Sequence, residues 1–390
     1  MNVTITPTLL RGRITPPPSK SQAHRLLMAA SLAGGEGRIS NLDPSQDILV
    51  TQGCMAALKA PGTQLPRLDC GESGSTLRFL IPVALALRGG GVFTGRGRLM
   101  ERPQAPYFAL FDQKGISYRQ DDGVLTVSGR LTPGRYALRG DVSSQFVTGL
   151  LYALPLLEGE SSIVLTSPLE SRGYVDMTLE ALSQFGVRVE CPDESTFRVP
   201  GGQQYRPCDA TVESDYSQAA FYFAANGLGS TVELLGLNPR SAQGDMCIVS
   251  YAKALSGPGT VELDVSQCPD LAPALAAHAA LREGETTHIV NAARLRIKES
   301  DRLASVTQVL NALGAKVEEL PDSLRIHGVG ALAGGASVDS HNDHRIAMMA
   351  AIAATRCAAA VTIRGAQCVA KSYPGFWEDY QRLGGQIQRS

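Results

Sequence analysis

The chain has almost no net charge: 36 Lys and Arg stand against 37 Asp and Glu, for a formal charge of -1. Without a basic field, nucleic acid and anionic membranes have nothing broad to hold, so any anion must be caught by local clusters. Aromatics are scarce, at 6% with a single Trp, which argues against stacking platforms for single strands. The longest apolar runs, such as 79–87, fall well short of a membrane span. Residues 1–13 lack the charged start, apolar stretch and cleavage site of an export signal. The eight cysteines are scattered, with no C-x-x-C pair and no His at zinc spacing, and read as reduced thiols of a soluble, cytoplasmic protein. Walker A, H-E-x-x-H and G-x-S-x-G patterns are missing, and Gly95-x-Gly97 does not extend into a dinucleotide loop.

What is present is a globular composition, 390 residues with 44% hydrophobic content, enough for two or three domains with cores of their own. Pro16-Pro17-Pro18 blocks helix, and then Ala23, Leu26, Leu27 and Ala30 repeat at the spacing of a helix with one buried face. A helix therefore starts near Ser19 to Ser21. Its positive end carries Lys20 and Arg25, where cations are unfavourable. Ser21 and Arg25 lie four apart and can face one spot, a combination that suits a bound phosphate or carboxylate. A lysine dangling in water at a solvated helix start is the plainer alternative.

The same plan recurs six times: a helical apolar run, a turn and a short β-rich run. The predicted helices are 21–33, 71–87, 143–157, 215–226, 268–281 and 342–355, and the strands after them 37–42, 91–94, 161–166, 231–235, 287–290 and 361–364. A second half-motif, a helix ending in Gly and then two strands, is clearest at 108–129, 179–201 and 309–328, with Gly115, Gly186 and Gly314 as the terminating glycines. Each unit spans roughly 55 to 75 residues, and six copies make two lobes of three. Helices between strands argue for an α/β fold with parallel pairings and antiparallel hairpins mixed. The runs 143–157 and 268–281 are apolar nearly all round, so they belong inside a lobe.

The starts of the six helices are crowded with polar groups. Ser and Asp in the starts 71–76, 143–145, 213–215 and 269–270 are expected caps, whereas Lys20, Arg25, His344 and Arg345 oppose the helix dipole. A local rule broken twice at equivalent positions suggests a site. Lys298 and Arg302, at i and i+4, repel one another by about a few tenths of a kcal/mol unless Asp301 or a bound anion intervenes. Arg102 and Lys371 each precede a proline expected to begin a helix. Each could be a plain surface charge. Together the clusters supply more positive charge than one phosphate requires, and match a substrate pair carrying two phosphates and one or two carboxylates.

Pro18-Ser19-Lys20-Ser21 with Arg25, the segment Gly71-Glu72-Ser73-Gly74-Ser75-Thr76-Leu77-Arg78, Arg98 to Pro103, Ser143-Ser144-Gln145, Ser171 with Tyr174, Pro269-Asp270, Lys298-Glu299-Ser300-Asp301-Arg302, Asn342-Asp343-His344-Arg345 and Ala370-Lys371 resemble, in order, the motifs of the 5-enolpyruvylshikimate-3-phosphate synthase family. The resemblance covers essentially the whole chain. It implies an α/β (α+β) fold of two lobes, each of three βαβαββ repeats around a pseudo-threefold axis with helices packed inside, an inside-out α/β barrel. It places the first lobe at 15–212 and the second at 1–14 with 213–390, with hinge crossings near 14–20 and 211–215 that let the lobes close on ligand. It implies transfer of the enolpyruvyl group of phosphoenolpyruvate to the 5-hydroxyl of shikimate 3-phosphate, with release of phosphate and with neither metal nor organic cofactor. The partners implied are these two small molecules, with no nucleic acid and no membrane, acting on a monomer.

Carried over, the resemblance gives shikimate 3-phosphate to Lys20, Ser21, Arg25, Ser143, Ser144, Gln145, Ser171, Tyr174, Asp270 and Lys298. Phosphoenolpyruvate falls to Lys20, Gly74, Arg102, Gln145, Arg302, His344, Arg345 and Lys371. Addition to an enol double bond needs a proton delivered to its methylene carbon while a hydroxyl loses one, so an acid and a base must flank the reacting carbons. Glu299 is expected as the acid, Asp270 as the base, and Lys20 as the group stabilising charge between them. Asp270 beside Pro269 is equally well an N-cap. One departure stands out: Glu72 occupies the place where the family often has Asn, and a carboxylate there costs anion affinity unless it points away or pairs with Arg78. How glyphosate, the family's known inhibitor, would bind is left open by that change. The nearest rival, UDP-N-acetylglucosamine enolpyruvyl transferase, shares the fold but uses a cysteine before its Arg-Pro, and Gly95 to Pro103 contains none. The remaining alternative is a non-catalytic phosphate- or nucleic-acid-binding module.

Overall fold

Twelve helices and twenty-one short strands alternate along residues 1–390, all of which the computed structural model describes. The helices are α1 (Lys20–Ala33), α2 (Gln46–Lys59), α3 (Gly74–Arg88), α4 (Ala105–Lys114), α5 (Ser144–Ala153), α6 (Arg172–Gln184), α7 (Tyr216–Gly227), α8 (Ile248–Leu255), α9 (Ala272–Ala279), α10 (Arg302–Ala312), α11 (His344–Ala354) and α12 (Phe376–Arg382). Two predicted helices come out shorter. Pro155 cannot donate to the preceding turn, so the run at 143–157 ends as a 3-10 turn, Leu154–Leu156. Pro269 and Pro273 likewise split 268–281 into a 3-10 turn, Pro269–Leu271, and α9.

The chain divides into two compact units, Lys20–Val212 and Met1–Ser19 with Glu213–Ser390, and each has a hydrophobic core of its own. One sheet pattern recurs in both: a parallel pair with an antiparallel hairpin added to one side. In the first unit it is Arg67–Asp69 beside Gly90–Thr94, then Val124–Ser128 and Ser117–Asp121. In the second it is Val261–Asp264 beside Thr286–Val290, then Leu324–His327 and Lys316–Glu319. The final copy completes the same order with the chain's own start. Ser337–Asp339 pairs with Val361–Arg364, and Asn2–Thr6 then takes the third place ahead of Gln386–Arg389.

The helices that follow the polar starts form the middle of each unit rather than its surface. Every residue of α9 and of α11 is buried, and α5 leaves only Gln145 outside the buried set. A helix apolar all round has no solvent face to offer, so it must be enclosed. In the first unit α3 and α5 approach closely because Gly149 has no side chain. A Cβ there would sit 2.4 Å from the Arg78 carbonyl oxygen and 2.3 Å from the Tyr107 hydroxyl. Pro82 supplies the rest of the explanation: lacking an N–H, it leaves the Arg78 carbonyl four residues earlier without its helical donor. The buried Tyr107 hydroxyl donates to that carbonyl at 2.7 Å and, as an alternative, reaches the Phe146 carbonyl at 3.1 Å. This junction fixes α3 and α5 to one another just behind their first turns.

Candidate active site

In unit Lys20–Val212 the first turn of α3 is the meeting point. Ser73 caps it, its hydroxyl accepting from the Thr76 N–H, and Gly74 follows with Arg102 lying against it. A Cβ on Gly74 would stand 2.6 Å from Arg102 Nη1. The Arg102 side chain arrives from the turn after Leu99–Glu101, and Pro103 does not start the next helix, which begins at Ala105 with Pro106 in its first turn. The expectation that Arg102 directly precedes a helix-initiating proline is thus corrected. Arg102 is only 8% exposed, its Nε is buried without a partner, and its guanidinium makes no ion pair. A desolvated guanidinium over the positive end of a helix is doubly unfavourable unless an anion joins them.

The neighbours of Arg102 are committed elsewhere. Arg78 donates from Nη1 to Gln145 Oε1 at 2.7 Å and from Nη2 to the Pro103 carbonyl at 3.0 Å, with its guanidinium over the Phe146 ring. Gln145 donates in turn to Ser75 Oγ at 3.0 Å, so its amide is held at both ends with one N–H to spare. Ser143 caps α5, its Oγ accepting from the Gln145 N–H at 3.3 Å, and Ser144 is buried beside it. The carboxylate of Glu72 lies against Gly97, where a Cβ would come within 2.7 Å of Oε2.

On α1, Arg25 is 2% exposed and faces inward rather than toward solvent. Its Nε donates to the Tyr174 carbonyl and to Thr178 Oγ1, both at 2.9 Å, and Nη1 donates to the Ser21 carbonyl at 2.6 Å. The guanidinium also lies over the Phe79 and Tyr174 rings. Burial lowers its pKa to about 10, and Nη2 remains for a ligand. Ser171, buried at the start of α6, adopts a left-handed backbone with φ 58°, a strained state for a non-glycine residue of the kind that collects at ligand clamps. Lys20 does not dangle in water: Nζ pairs with Asp47 Oδ2 at 2.8 Å.

In the other unit the cations are gathered around carboxylates. Asp270 receives Arg302 Nη1 at 2.8 Å, Arg345 Nη2 at 3.0 Å and, more distantly, Lys298 Nζ at 3.5 Å. It is not a cap; Cys268 stands at the helical cap position. Lys298 lies outside α10 in extended backbone, so Lys298 and Arg302 do not form the expected helical i, i+4 pair, and Asp270 sits between them. Asp301 instead caps α10, accepting from the Ala304 N–H. Glu299 Oε2 takes Arg302 Nη2 at 2.9 Å, and the fully buried Asp343 takes Arg302 Nε at 2.8 Å.

Asp343 caps α11, its carboxylate accepting from the Arg345 N–H at 2.9 Å, so a negative charge stands at the same helix start as the cations that oppose its dipole. Burial would push its carboxyl up, but Arg302 outweighs that and holds it below the usual range. His344 lies 3.9 Å from the same carboxylate and is buried. Lys371 ends the 3-10 turn Ala366–Lys371 and donates to the Asn342 carbonyl at 2.5 Å, while the following helix begins only at Phe376. That corrects the idea of a proline-started helix directly after it. Burial, partly offset by Asp270, pulls the Lys298 ammonium down to about 8. Three cations (Lys298, Arg302, Arg345) thus face three carboxylates (Asp270, Glu299, Asp343), with Lys371 held on the carbonyl of Asn342, the residue before Asp343, an arrangement that can accept a further anion and offers acid and base groups beside it. No set of three or more His, Cys, Asp or Glu side chains is grouped to hold a metal ion.

The family description "EPSP synthase (3-phosphoshikimate 1-carboxyvinyltransferase)" matches residues 5–257 and 253–380. The chain belongs to the EPSP synthase family. It is 46% identical to the 3-phosphoshikimate 1-carboxyvinyltransferase of Clostridium kluyveri, covering 99% of this chain and 98% of that one, and 42% identical to that of Clostridioides difficile, covering 98% and 97%. The solved EPSP synthase of Acinetobacter baumannii superposes over the full length of both chains with a TM-score of 0.78 at 25% identity. The enolpyruvyl transferase NikO of Streptomyces tendae, at 18% identity and TM-score 0.80, shares the fold. The chain is therefore an enzyme of the shikimate pathway that transfers an enolpyruvyl group, and the UDP-N-acetylglucosamine and non-catalytic alternatives fall away.

Sequence reasoning missed Asp47, Arg78 and Asp343 as members of these clusters. Asp343 and Arg78 stood inside motifs, but charged side chains are ordinarily exposed, so nothing in the sequence signalled their burial beside Arg302 and Gln145. Asp47 had no such signal, since an acid in the first turn of a helix is ordinary.

Proposed function

We propose that the enolpyruvyl transfer is carried out on phosphoenolpyruvate and shikimate 3-phosphate by the residues gathered in these two clusters. Shikimate 3-phosphate is assigned to Ser143, Ser144, Gln145, Ser171 and Lys298, with Lys20, Ser21, Arg25, Tyr174 and Asp270 contributing. Phosphoenolpyruvate is assigned to Arg102 and Gly74, with Lys20, Gln145, Arg302, His344, Arg345 and Lys371. The observation that carries this reading is Arg102, a buried guanidinium with no protein anion, resting on the first turn of α3.

The chemistry follows from charge and proton placement. Asp270 takes the proton of the attacking hydroxyl, and Glu299 delivers one to the methylene carbon of the enol. The new C–O bond forms at the carbon bearing the phosphate, giving a tetrahedral adduct whose negative groups the cations hold. Lys20 offsets charge that develops at the reacting carbons. Collapse of the adduct expels phosphate, which takes the proton held on Asp270, while the Glu299 carboxylate takes a proton back from the methyl group, restoring the double bond on the product and both carboxyl groups to their starting states. The ion pairs of Asp270 with Arg302, Arg345 and Lys298 hold its carboxylate in one orientation, as the geometry of proton transfer requires.

The enzyme acts as a monomer in the cytoplasm; its eight unpaired cysteines fit a reducing compartment, and sedimentation at 41.3 kDa would bear out the monomer. The test of the reaction is phosphate release from phosphoenolpyruvate. It is expected with shikimate 3-phosphate and not with UDP-N-acetylglucosamine; release with the latter alone would overturn the assignment.

A further inference from the structure

Lys20 is the first residue of α1, at the end of the helix that repels a cation. Its Nζ nevertheless sits 2.8 Å from Asp47 Oδ2, with the side chains only 15% and 11% exposed. Most ion pairs of this chain are unlike that one; Arg119 with Asp121, for example, is 79% and 55% exposed and of the kind that contributes little. A carboxylate close to residues that bind two polyanions costs affinity for them, so its presence calls for a compensating role.

Asp47 is not free to move away. It lies in the first turn of α2, where a negative charge is favoured by the helix dipole. Its carbonyl accepts from the fully buried Thr51 Oγ1 at 3.0 Å, and that hydroxyl also meets His24 Nδ1 at 2.8 Å and Thr76 Oγ1 at 2.6 Å. Thr76 Oγ1 donates to Ser73 Oγ at 2.8 Å, and Ser73 is the cap of α3. A chain of buried hydroxyls thus locks the turn carrying Asp47 to α1 on one side and to the Gly74 turn on the other. Burial, with Lys20 and Arg25 nearby, keeps His24 neutral, so it does not compete with Lys20 for the Asp47 charge.

We propose that Asp47 is a positioning residue for the reaction: pinned by Thr51, it holds the Lys20 ammonium extended and aimed at the reacting carbons. This rests on the assignment of Lys20 under the proposed function. An interaction that acts only through transition-state aim lowers kcat without raising KM, and removing a negative charge beside an anion site does not weaken ground-state binding of the anion.

The test is a double-mutant cycle on phosphate release with both substrates saturating, together with KM for phosphoenolpyruvate and the Tm of each variant. Asp47→Asn is expected to lower kcat between roughly 10- and 100-fold with KM unchanged or reduced, and Asp47→Glu to recover most of that loss. On a Lys20→Met background, Asp47→Asn should have no further effect. A wild-type kcat for Asp47→Asn, or a loss that persists in full on the Lys20→Met background, would overturn the inference while leaving the role of Lys20 standing. A wild-type kcat for Lys20→Met itself would overturn the assignment of Lys20 and this inference with it. If Asp47→Asn does not fold, Asp47→Ala decides: a kcat loss confined to the background that retains Lys20 supports the role, and equal losses on both backgrounds, or none on either, refute it.

Discussion

Replacing Gly74 by alanine separates the fold from the site at a single atom. The new Cβ would stand 2.6, 2.9 and 3.0 Å from Nη1, Cζ and Nη2 of Arg102, all inside any normal contact, so the guanidinium must move. The atoms struck are the far end of a flexible side chain and the Gly74 backbone is helical, so folding gives way easily; alanine in place of glycine even favours the helix by roughly 0.5–1 kcal/mol. The cost falls on whatever anion Arg102 holds. Losing a hydrogen bond to a charged partner is worth about 1.5–3 kcal/mol, a rise in KM for phosphoenolpyruvate of roughly 10- to 150-fold. KM for shikimate 3-phosphate and Tm should stay near their wild-type values. Steady-state phosphate release with each substrate varied in turn, alongside a thermal melt, makes the measurement. A KM for phosphoenolpyruvate within about twofold of wild type would refute the reasoning, since it would mean that Arg102 is displaced at no loss or binds nothing there.

Three other outcomes follow from named contacts. Asp343→Ala takes one of three carboxylates from the buried Arg302 guanidinium and removes the cap of α11, and should destabilise the fold by about 1–3 kcal/mol in a urea titration. Because the Asp343 pKa is depressed in the folded state, its contribution is complete at neutral pH and lost as pH falls below the ordinary carboxylate range; an acid titration of wild type against the variant should converge there. Gly149→Ala drives a Cβ into the Arg78 carbonyl and the Tyr107 hydroxyl, and overpacking of this kind costs about 1–3 kcal/mol, read as a lower Tm. Lys298, pulled down to about 8 by burial together with Arg302 and Arg294, against the opposing pull of Asp270 and Glu299, loses its charge as pH rises through that value. Calorimetric affinity for shikimate 3-phosphate should therefore fall above pH 8, and a Lys298→Met enzyme should lack that step.

Repetition was the part of the fold most legible in the chain. Polar helix starts, apolar runs and the strands behind them recur in order, and apolar residues all round α5 and α9 foretold enclosed helices. Prolines misled only the ends: Pro155 and Pro273 shorten helices that periodicity alone would extend. Side-chain partners were much less legible, because i, i+4 arithmetic works within one helix and these pairs join distant turns. Asp270 meets Arg345 from 75 residues away, and Asp47 meets Lys20 from 27. The cations were weighed as ligands for substrate against plain surface charges, yet Arg302 and Arg345 are neither exposed nor unpartnered and already have the carboxylates of Asp343 and Asp270. Only a fold that brings α10, α11 and the Pro269–Leu271 turn together reveals that pairing. Arg102 is the exception that survives, a cation at a helix start with no partner of its own.

The central claim, that this guanidinium seats phosphoenolpyruvate, is tested most directly by calorimetric titration of that ligand into protein saturated with shikimate 3-phosphate, comparing wild type with Arg102→Gln. The account predicts that the variant folds with an unchanged or higher Tm, because it loses a buried unpaired charge. It also predicts that phosphoenolpyruvate binds at least about tenfold more weakly to the variant. Equal affinity in the two proteins would contradict it.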